Sequence, residues 1–294
     1  MLARGTGIIK EFRARGQALA AMTTYTLEST AAICRAAERA RTPVIIQAGS
    51  GSFAAVGLEL LAVSALSAAR RSPIAIGVHL DHSARPDEIR ACIELGYTSV
   101  MVDGSHLPYD DNVALTLSVV EEAHAVGVWV EAELGAIAGD EDASVDADVT
   151  GETDPAQAAD FAQRTGVDAL AVAVGNVHGI TDRPVHLDMS RLRAIAAHTG
   201  LPLVLHGASG TGDGDLLEAV AAGVAKVNFN TEIRRAHVKA LAQGLAVDGD
   251  DIRRIQQRSI DAMAAVAYEK IMLLSGRPNV EDGPTAGGEG SETG

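Results

Sequence analysis

The sequence predicts a closed (β/α)₈ barrel, and three observations lead to that fold class. Eight short apolar runs alternate with Ala-rich segments of helical spacing along almost the whole 294-residue chain. Most of these runs are apolar on both faces, which is typical of parallel strands covered by helices on the outside. Eight strand–helix units in a chain of this length match the size of a closed barrel, and an open doubly wound sheet is the alternative.

The predicted strands are spread along almost the whole chain. They are residues 18–22, 43–48, 74–80, 99–102, 127–132, 169–175, 203–205 and 224–227. Helical spacing of apolar residues predicts helices between them, among others over residues 28–40, 87–94, 112–126, 155–164 and 213–222. We expect a single barrel domain over residues 1–276 and a flexible tail over residues 277–294, because "GPTAGGEGSETG" has the composition of disordered segments.

Composition and charge argue against several kinds of partner. Aromatic residues make up only 3% of the chain, so stacking surfaces for single-stranded nucleic acid are scarce. The net charge of −15 repels a phosphate backbone, and we expect no nucleic-acid partner. No apolar run is long enough to span a bilayer, and the N-terminus lacks a signal-peptide pattern. We therefore expect a cytoplasmic protein without a membrane partner.

Polar side chains gather where the predicted strands end. In chain order they are His79, Asp81 and His82 at the end of the third strand, Asp103 at the end of the fourth, Glu131 and Glu133 at the end of the fifth, Asn176 and His178 at the end of the sixth, His206 at the end of the seventh, and Asn228, Asn230 and Thr231 at the end of the eighth. The carboxyl ends of parallel barrel strands form one rim, so residues far apart in the sequence converge there.

Three histidines at this rim predict a metal site. A single histidine is more often a structural hydrogen-bonding residue, but His82, His178 and His206 occupy equivalent strand ends beside carboxylates. Catalytic zinc commonly takes three protein ligands and keeps one position open for substrate. His79 lies within its strand, and we assign it to the barrel interior.

Two glycine-rich or small-residue loops predict a phosphate site. The segments "HGASGTGD" and "NFNTE" follow the seventh and eighth strands, and each leads into a helix. Their backbone N–H groups and the hydroxyls of Ser209 and Thr231 would surround a phosphate at a helix N-terminus. The alternative is that the glycines only form a tight turn. The acidic segment of residues 135–154 is long enough to be a lid over such a site, whereas its composition alone favours a solvated acidic loop.

The motifs at the strand ends, taken together, resemble those of a known family. They are "HLDH", "MVDGSH", "VEAELG", "GVDALAVAVGNVHG", "LPLVLHGASG" and "KVNFNTE". The chain resembles the zinc-dependent class II fructose-bisphosphate aldolases, and within them the tagatose-bisphosphate and related ketose-bisphosphate aldolases. The resemblance implies a lyase of carbohydrate metabolism, such as glycolysis. It would reversibly cleave a ketose phosphate or bisphosphate to dihydroxyacetone phosphate and an aldehyde through a zinc-stabilised enediolate. The resemblance also implies a homodimer or homotetramer.

Roles for individual residues follow from the resemblance. It makes His82, His178 and His206 the zinc ligands, and it makes Asp103 and Glu133 ligands of a second divalent ion or supports of the first. Asp81 would carry the proton of the aldehyde oxygen, and Glu141 would remove the proton from the ketone carbon. The residues that bind substrate would be Gly179, Gly207, Ser209, Asn228, Asn230 and Thr231, with a sodium or potassium ion near the phosphate.

The sequence departs from the family around the acceptor aldehyde. The usual "AFN" after the first strand is replaced by a segment that contains Met22 and Thr23. After the second strand "QAGSGSF" is unusual, and it leaves Ser50 or Ser52 as a substrate contact. Arg277 is the candidate for a distal phosphate. Fructose, tagatose, inositol-breakdown and specialised biosynthetic ketose phosphates therefore all stay open as substrates.

Three other functions are compatible with parts of the sequence. A Schiff-base aldolase would use Lys226 in the eighth strand as its nucleophile. A zinc hydrolase would use water activated by the same metal. A non-catalytic structural subunit of an aldolase complex would need no metal, and it would have no reason to keep all three histidines.

Overall fold

A computed structural model of the protein describes residues 1–137, 151–179 and 185–277. The strands are β1 (Leu19–Thr23), β2 (Val44–Ala48), β3 (Ile76–Leu80), β4 (Ser99–Val102), β5 (Trp129–Leu134), β6 (Ala169–Val172), β7 (Leu203–Leu205) and β8 (Val224–Phe229). The helices are α1 (Gly7–Ala14), α2 (Leu27–Ala40), α3 (Ser50–Val56), α4 (Leu58–Arg71), α5 (Pro86–Leu95), α6 (Tyr109–His124), α7 (Pro155–Thr165), α8 (Met189–Thr199), α9 (Asp213–Ala221), α10 (Thr231–Asp248) and α11 (Ile252–Leu274).

The predicted (β/α)₈ barrel is confirmed. Each strand pairs in parallel with the next one along the chain, and β1 pairs in parallel with β8 to close the barrel. Closure aligns Leu19 with Lys226 and Met22 with Phe229. All the strands therefore run in the same direction, and their carboxyl ends form a single rim.

Strands β5 and β8 each extend two residues further than the apolar pattern predicts. The sequence analysis ended the fifth strand at residue 132 and the eighth at residue 227, whereas β5 reaches Leu134 and β8 reaches Phe229. The continuation contains Glu133 in β5 and Asn228 in β8, and both side chains are buried. Polar residues that face the barrel interior interrupt an apolar run without ending the strand, and the sequence pattern alone misplaces the boundary.

Local signals explain where several helices begin and end. Helix α2 starts with a capping box in which Thr26 and Ser29 exchange side-chain to backbone hydrogen bonds. Helix α7 has Pro155 in its first turn, and the Asp154 carboxylate accepts from the N–H of Gln157. It ends at Gly166, which adopts a left-handed conformation that glycine tolerates well.

The apolar core has two layers. The outer layer lies between the strands and the surrounding helices. The inner layer fills the lower barrel, where Ile9 and Phe12 of α1 pack with inward-facing residues near the strand starts, including Leu19 and Trp129. Helix α1 therefore covers the N-terminal end of the barrel and leaves the opposite rim for polar side chains.

Helices α3 and α4 form a bend of 104° around Gly57, which has a φ of +90°. Among the residues that the structure describes, no single helix is both long and apolar enough to cross a membrane. This bent pair meets the same criterion by its combined length and composition.

Replacing Ile9 with alanine should lower the free energy of unfolding by about 2–5 kcal/mol, because the substitution opens a cavity in the fully buried inner layer. Ile252→Ala is the control, since that side chain is 59% exposed and its removal should change stability by no more than about 0.5 kcal/mol. Urea unfolding followed by circular dichroism measures both. Equal losses of stability in the two variants would contradict the packing of α1 over the N-terminal end of the barrel.

Candidate metal centre

Three histidines meet at the rim. His82 lies two residues after β3, His178 lies in the loop after β6, and His206 directly follows β7. One ring nitrogen from each lies within 4.8 Å of the other two. The Nε2 of His82 and the Nδ1 of His206 are 2.8 Å apart, and the ring centroid of His178 is 5.2 Å from that of His82. The structure therefore brings together the three imidazoles that the sequence analysis singled out.

His82 has a backbone conformation that is unusual for a residue with a side chain. Its φ of +32° falls in the left-handed region, and such conformations persist where the surrounding structure enforces them. The backbone is held on both sides, since the N–H of Asp81 donates to the Ala48 carbonyl and the N–H of Asp103 donates to the Ser83 carbonyl. In this conformation the His82 ring reaches both His206 and a carboxylate.

That carboxylate belongs to Asp103, which directly follows β4. Its Oδ2 lies 2.8 Å from the Nδ1 of His82, and its Oδ1 accepts from both the backbone N–H and the hydroxyl of Ser105. Glu133 of β5 completes a second group, in which one ligand atom each from His82, Asp103 and Glu133 lies within 4.8 Å of the others. His82 therefore lies between the histidine group and the acidic group.

Burial and the crowding of negative charge together shift the pKa values at the centre. Burial, together with the nearby charge of Asp103, raises the pKa of Glu133 to about 7. Burial alone would lower the pKa of His82, but the hydrogen bond to Asp103 and the charges of Asp81 and Glu133 hold it well above its usual value. A cation at this place would relieve the repulsion between the carboxylates.

The residues present fit a divalent cation. Within the described part of the chain the Oε2 of Glu133 is buried and makes no hydrogen bond, as expected of an oxygen that an ion would contact. Three imidazole nitrogens with carboxylate oxygens nearby form a donor set that zinc commonly takes. The site is thus chemically suited to the metal that the sequence analysis predicts.

Asp81, next to His82, is held in place from two other strands. Its Oδ2 accepts from the Nε2 of Gln47 in β2 at 2.7 Å, and its Oδ1 accepts from the Nδ2 of Asn228 in β8 at 3.2 Å. The sequence analysis did not identify Gln47. The sign of Gln47 in the sequence is a single amide side chain within an otherwise apolar strand.

A cavity of about 290 Å³ opens beside these groups. It is lined by Thr23, Gly49, Ser50, Gly51, Ser52, Asp81, His82, Asp103, His106, Glu133, Ile137, His178 and Asn230. The predicted contacts Ser50 and Asn230 therefore line the same cavity as the metal-binding candidates. Sequence reasoning missed His106, because a single histidine in a loop carries no signal that distinguishes it from a surface residue.

The glycine-rich loop after β7 packs tightly against the loop after β6. Gly207 has a φ of +61°, and a Cβ atom added there would lie 2.1 Å from the Val177 carbonyl oxygen. Gly179 lies in the β6 loop, and both Ser209 and Thr231 are buried. Close backbone contact at Gly207 therefore sets the spacing between the loops that carry His178 and His206.

Arg277 and Lys226 do not line this cavity. Arg277 donates to the carbonyl of Ala40 at the end of α2, near the N-terminal ends of the strands. Lys226 is fully buried within β8, where its Nζ lies 2.9 Å from a Glu131 oxygen. Glu141 lies outside the described residues.

Known proteins resemble this chain over nearly its whole length. The profile of a family described as "Fructose-bisphosphate aldolase class-II" matches residues 3–277. The YdjI aldolase of Escherichia coli K12 is 32% identical with a TM-score of 0.84, covering 93% of this chain and 97% of its own. A Coccidioides immitis protein to which fructose-1,6-bisphosphate aldolase activity is ascribed is 33% identical with a TM-score of 0.86, covering 92% of this chain and 96% of its own.

A more distant structure shows the fold alone. The fructose-bisphosphate aldolase of Campylobacter jejuni is 22% identical to this chain with a TM-score of 0.75, covering 93% of this chain and 95% of its own.

Gly207→Ala should weaken metal binding, because the added methyl group clashes with the Val177 carbonyl and separates two histidine-bearing loops. The left-handed φ alone costs about 1–3 kcal/mol. Gly212→Ala is the matched control in the same loop, since its added Cβ would lie 3.6 Å from the nearest atom. Metal content after dialysis, measured by mass spectrometry alongside thermal melting, tests this. The same zinc content in both variants would contradict the prediction.

Proposed function

Because the chain belongs to the class-II fructose-bisphosphate aldolase family and is therefore a lyase, we propose that it reversibly cleaves a ketose phosphate or bisphosphate to dihydroxyacetone phosphate and an aldehyde. The reaction would depend on zinc held by His82, His178 and His206. One observation carries the proposal, namely that a ring nitrogen of each of these histidines lies within 4.8 Å of the others at the barrel rim.

The chain supplies the ligands and the surrounding charges. A bound zinc ion would act as a Lewis acid that stabilises negative charge on the substrate oxygens next to the breaking bond. Asp103 holds the Nδ1 of His82, which leaves its Nε2 directed toward His206. Asp103 and Glu133 would support this ion or hold a second divalent ion with His82, as their spacing within 4.8 Å allows.

The phosphate of dihydroxyacetone phosphate would bind over the loops after β6, β7 and β8. Helix α10 begins at Thr231, and its N-cap residue Asn230 makes no side-chain capping hydrogen bond. The N–H groups of the first turn, which have no acceptor within a helix, would contact the anion. The remaining contacts that we propose are Gly179, Gly207, Ser209 and Asn228, with a sodium or potassium ion beside the phosphate.

Two carboxylates would move protons. The Asp81 carboxylate is buried beside His82 and oriented by two amides, which supports a role in transferring the proton of the aldehyde oxygen. Glu141 would remove the proton from the ketone carbon. Its support is the family resemblance and its place in the acidic segment after β5.

The acceptor end of the substrate would lie at the segment after β2. Ser50 lines the cavity, which supports a contact with the aldehyde. Its hydroxyl donates to Glu88, so it would accept a hydrogen bond from the substrate. The contact of Arg277 with Ala40 gives no support to a role at a distal phosphate. Fructose 1,6-bisphosphate is the first substrate to test, since that activity is ascribed to the Coccidioides immitis relative.

Removal of the metal should abolish activity. The protein is treated with a chelator and assayed for triose phosphate release from a panel of ketose mono- and bisphosphates. Activity should be lost and should return when zinc is added, because the three imidazoles alone cannot stabilise the developing charge. Borohydride added with substrate should cause no inactivation. Activity that survives the chelator but is lost to borohydride would overturn the proposal in favour of a Schiff base on Lys226.

Glu141→Gln should lower kcat by roughly 10²–10⁴-fold with little change in zinc content, since a general base contributes about that much. The neighbouring carboxylate provides the control, and Asp142→Asn should retain activity near that of the wild type. Steady-state kinetics in both directions measures the effect. Equal rates for the two variants would show that Glu141 is not the base.

A further inference from the structure

A buried ion pair lies inside the barrel, beneath the metal centre. Glu131 of β5 and Lys226 of β8 are both fully buried, and their Oε2 and Nζ atoms are 2.9 Å apart. Barrel interiors are usually filled with bulky apolar side chains. Transferring two charges out of water costs several kcal/mol per ion, and an apolar pair of similar volume is often at least as stable. Stability therefore gives no reason for this pair.

The second oxygen of Glu131 connects the pair to the centre. Its Oε1 lies 2.8 Å from the Nε2 of His206, and that ring is also fully buried. The other ring nitrogen, Nδ1, lies 2.8 Å from the Nε2 of His82. A carboxylate only accepts hydrogen bonds, so the Nε2 of His206 carries the proton. The lone pair of Nδ1 is then directed toward the group of three histidines.

We propose that Glu131, held by Lys226, is a positioning residue that fixes the tautomer and orientation of His206 and so presents Nδ1 as a metal ligand. The inference rests on the metal centre of the proposed function. His82 shows the same arrangement at the other side of the centre, since its outward nitrogen faces Asp103 while its inward nitrogen faces His206. Carboxylates in this position orient metal-binding histidines and raise their basicity.

Lys226 has a definite part in this arrangement. Its ammonium group lies against one carboxylate oxygen of Glu131, which leaves the other oxygen for His206. The lysine is itself packed beside His79, with 3.5 Å between its Nζ and the Nε2 of that ring. His79 is fixed in turn by a hydrogen bond to Ser99 and by stacking on Trp129. The chain of contacts thus extends from the apolar barrel floor to the metal ligand.

The test removes both charges together. In Glu131→Gln/Lys226→Met no unpaired charge is left in the interior, yet His206 loses its charged acceptor. Zinc affinity, measured by competition with a chromophoric chelator, should fall roughly 10- to 100-fold. The matched control is Glu218→Gln/Arg193→Met, which removes an exposed ion pair of the same charge and should bind zinc as the wild type does.

A spectroscopic measurement separates positioning from a merely structural role. Two-dimensional ¹H–¹⁵N spectra of zinc-loaded protein labelled in histidine should show one ring protonated at Nε2 and bound through Nδ1, a signal absent in His206→Asn. The comparison with the double variant is made on zinc-free protein, because a ring protonated at Nδ1 cannot bind zinc there. The amide introduced by Glu131→Gln can donate to Nε2 of His206, so the Nδ1-protonated tautomer should appear in the variant and not in the wild type. The wild-type tautomer pattern in that variant would overturn the inference.

The outcomes distinguish the inference from the proposed function. Wild-type protein that binds no zinc would refute the metal centre itself. Wild-type zinc affinity in a folded double variant would overturn only the role of Glu131. Glu131→Leu/Lys226→Met, an apolar pair of similar volume, is measured beside it. Each of these two double variants that keeps the wild-type circular dichroism spectrum should show the same loss of zinc affinity. If neither variant keeps that spectrum, the pair is required for folding, and the inference is overturned.

Discussion

Closure of the sheet between β1 and β8 is the constraint on which the candidate centre depends. His82 and His206 are separated by 124 residues, yet their ring nitrogens meet at 2.8 Å. Strands three and seven lie on opposite sides of the barrel, and only a closed cylinder brings their ends across from each other. The close contact of Gly207 with the β6 loop then positions His178 relative to His82 and His206.

The barrel interior changes in chemistry from one end to the other. At the N-terminal end, Ile9 and Phe12 of α1 and the first residues of the strands form a dry apolar layer. Glu131 and Lys226 follow above it as a fully buried ion pair, and the histidines and carboxylates lie at the rim. The residues that stabilise the barrel and the residues proposed to carry the chemistry therefore lie at opposite ends, as is general for the fold.

Electrostatics at the rim favours a bound cation. Asp81, Asp103 and Glu133 bring three carboxyl groups into a small region of a chain whose net charge is already −15. Burial, together with the nearby charge of Asp103, raises the pKa of Glu133, and the strained backbone of His82 is a further cost of the arrangement. The fold tolerates both because the barrel strands and apolar layers beneath hold the rim in place.

The sequence by itself determined the alternation of eight strands with helices and the position of the three histidines at strand ends, because both follow from local patterning along the chain. It could not determine the ends of β5 and β8, the amides that hold Asp81, or the pairing of Lys226 with Glu131. Nor could it place Arg277 at the opposite end of the barrel from the cavity. Those features depend on which side chains face one another across a closed barrel, and strand register, closure and helix packing decide that only in three dimensions.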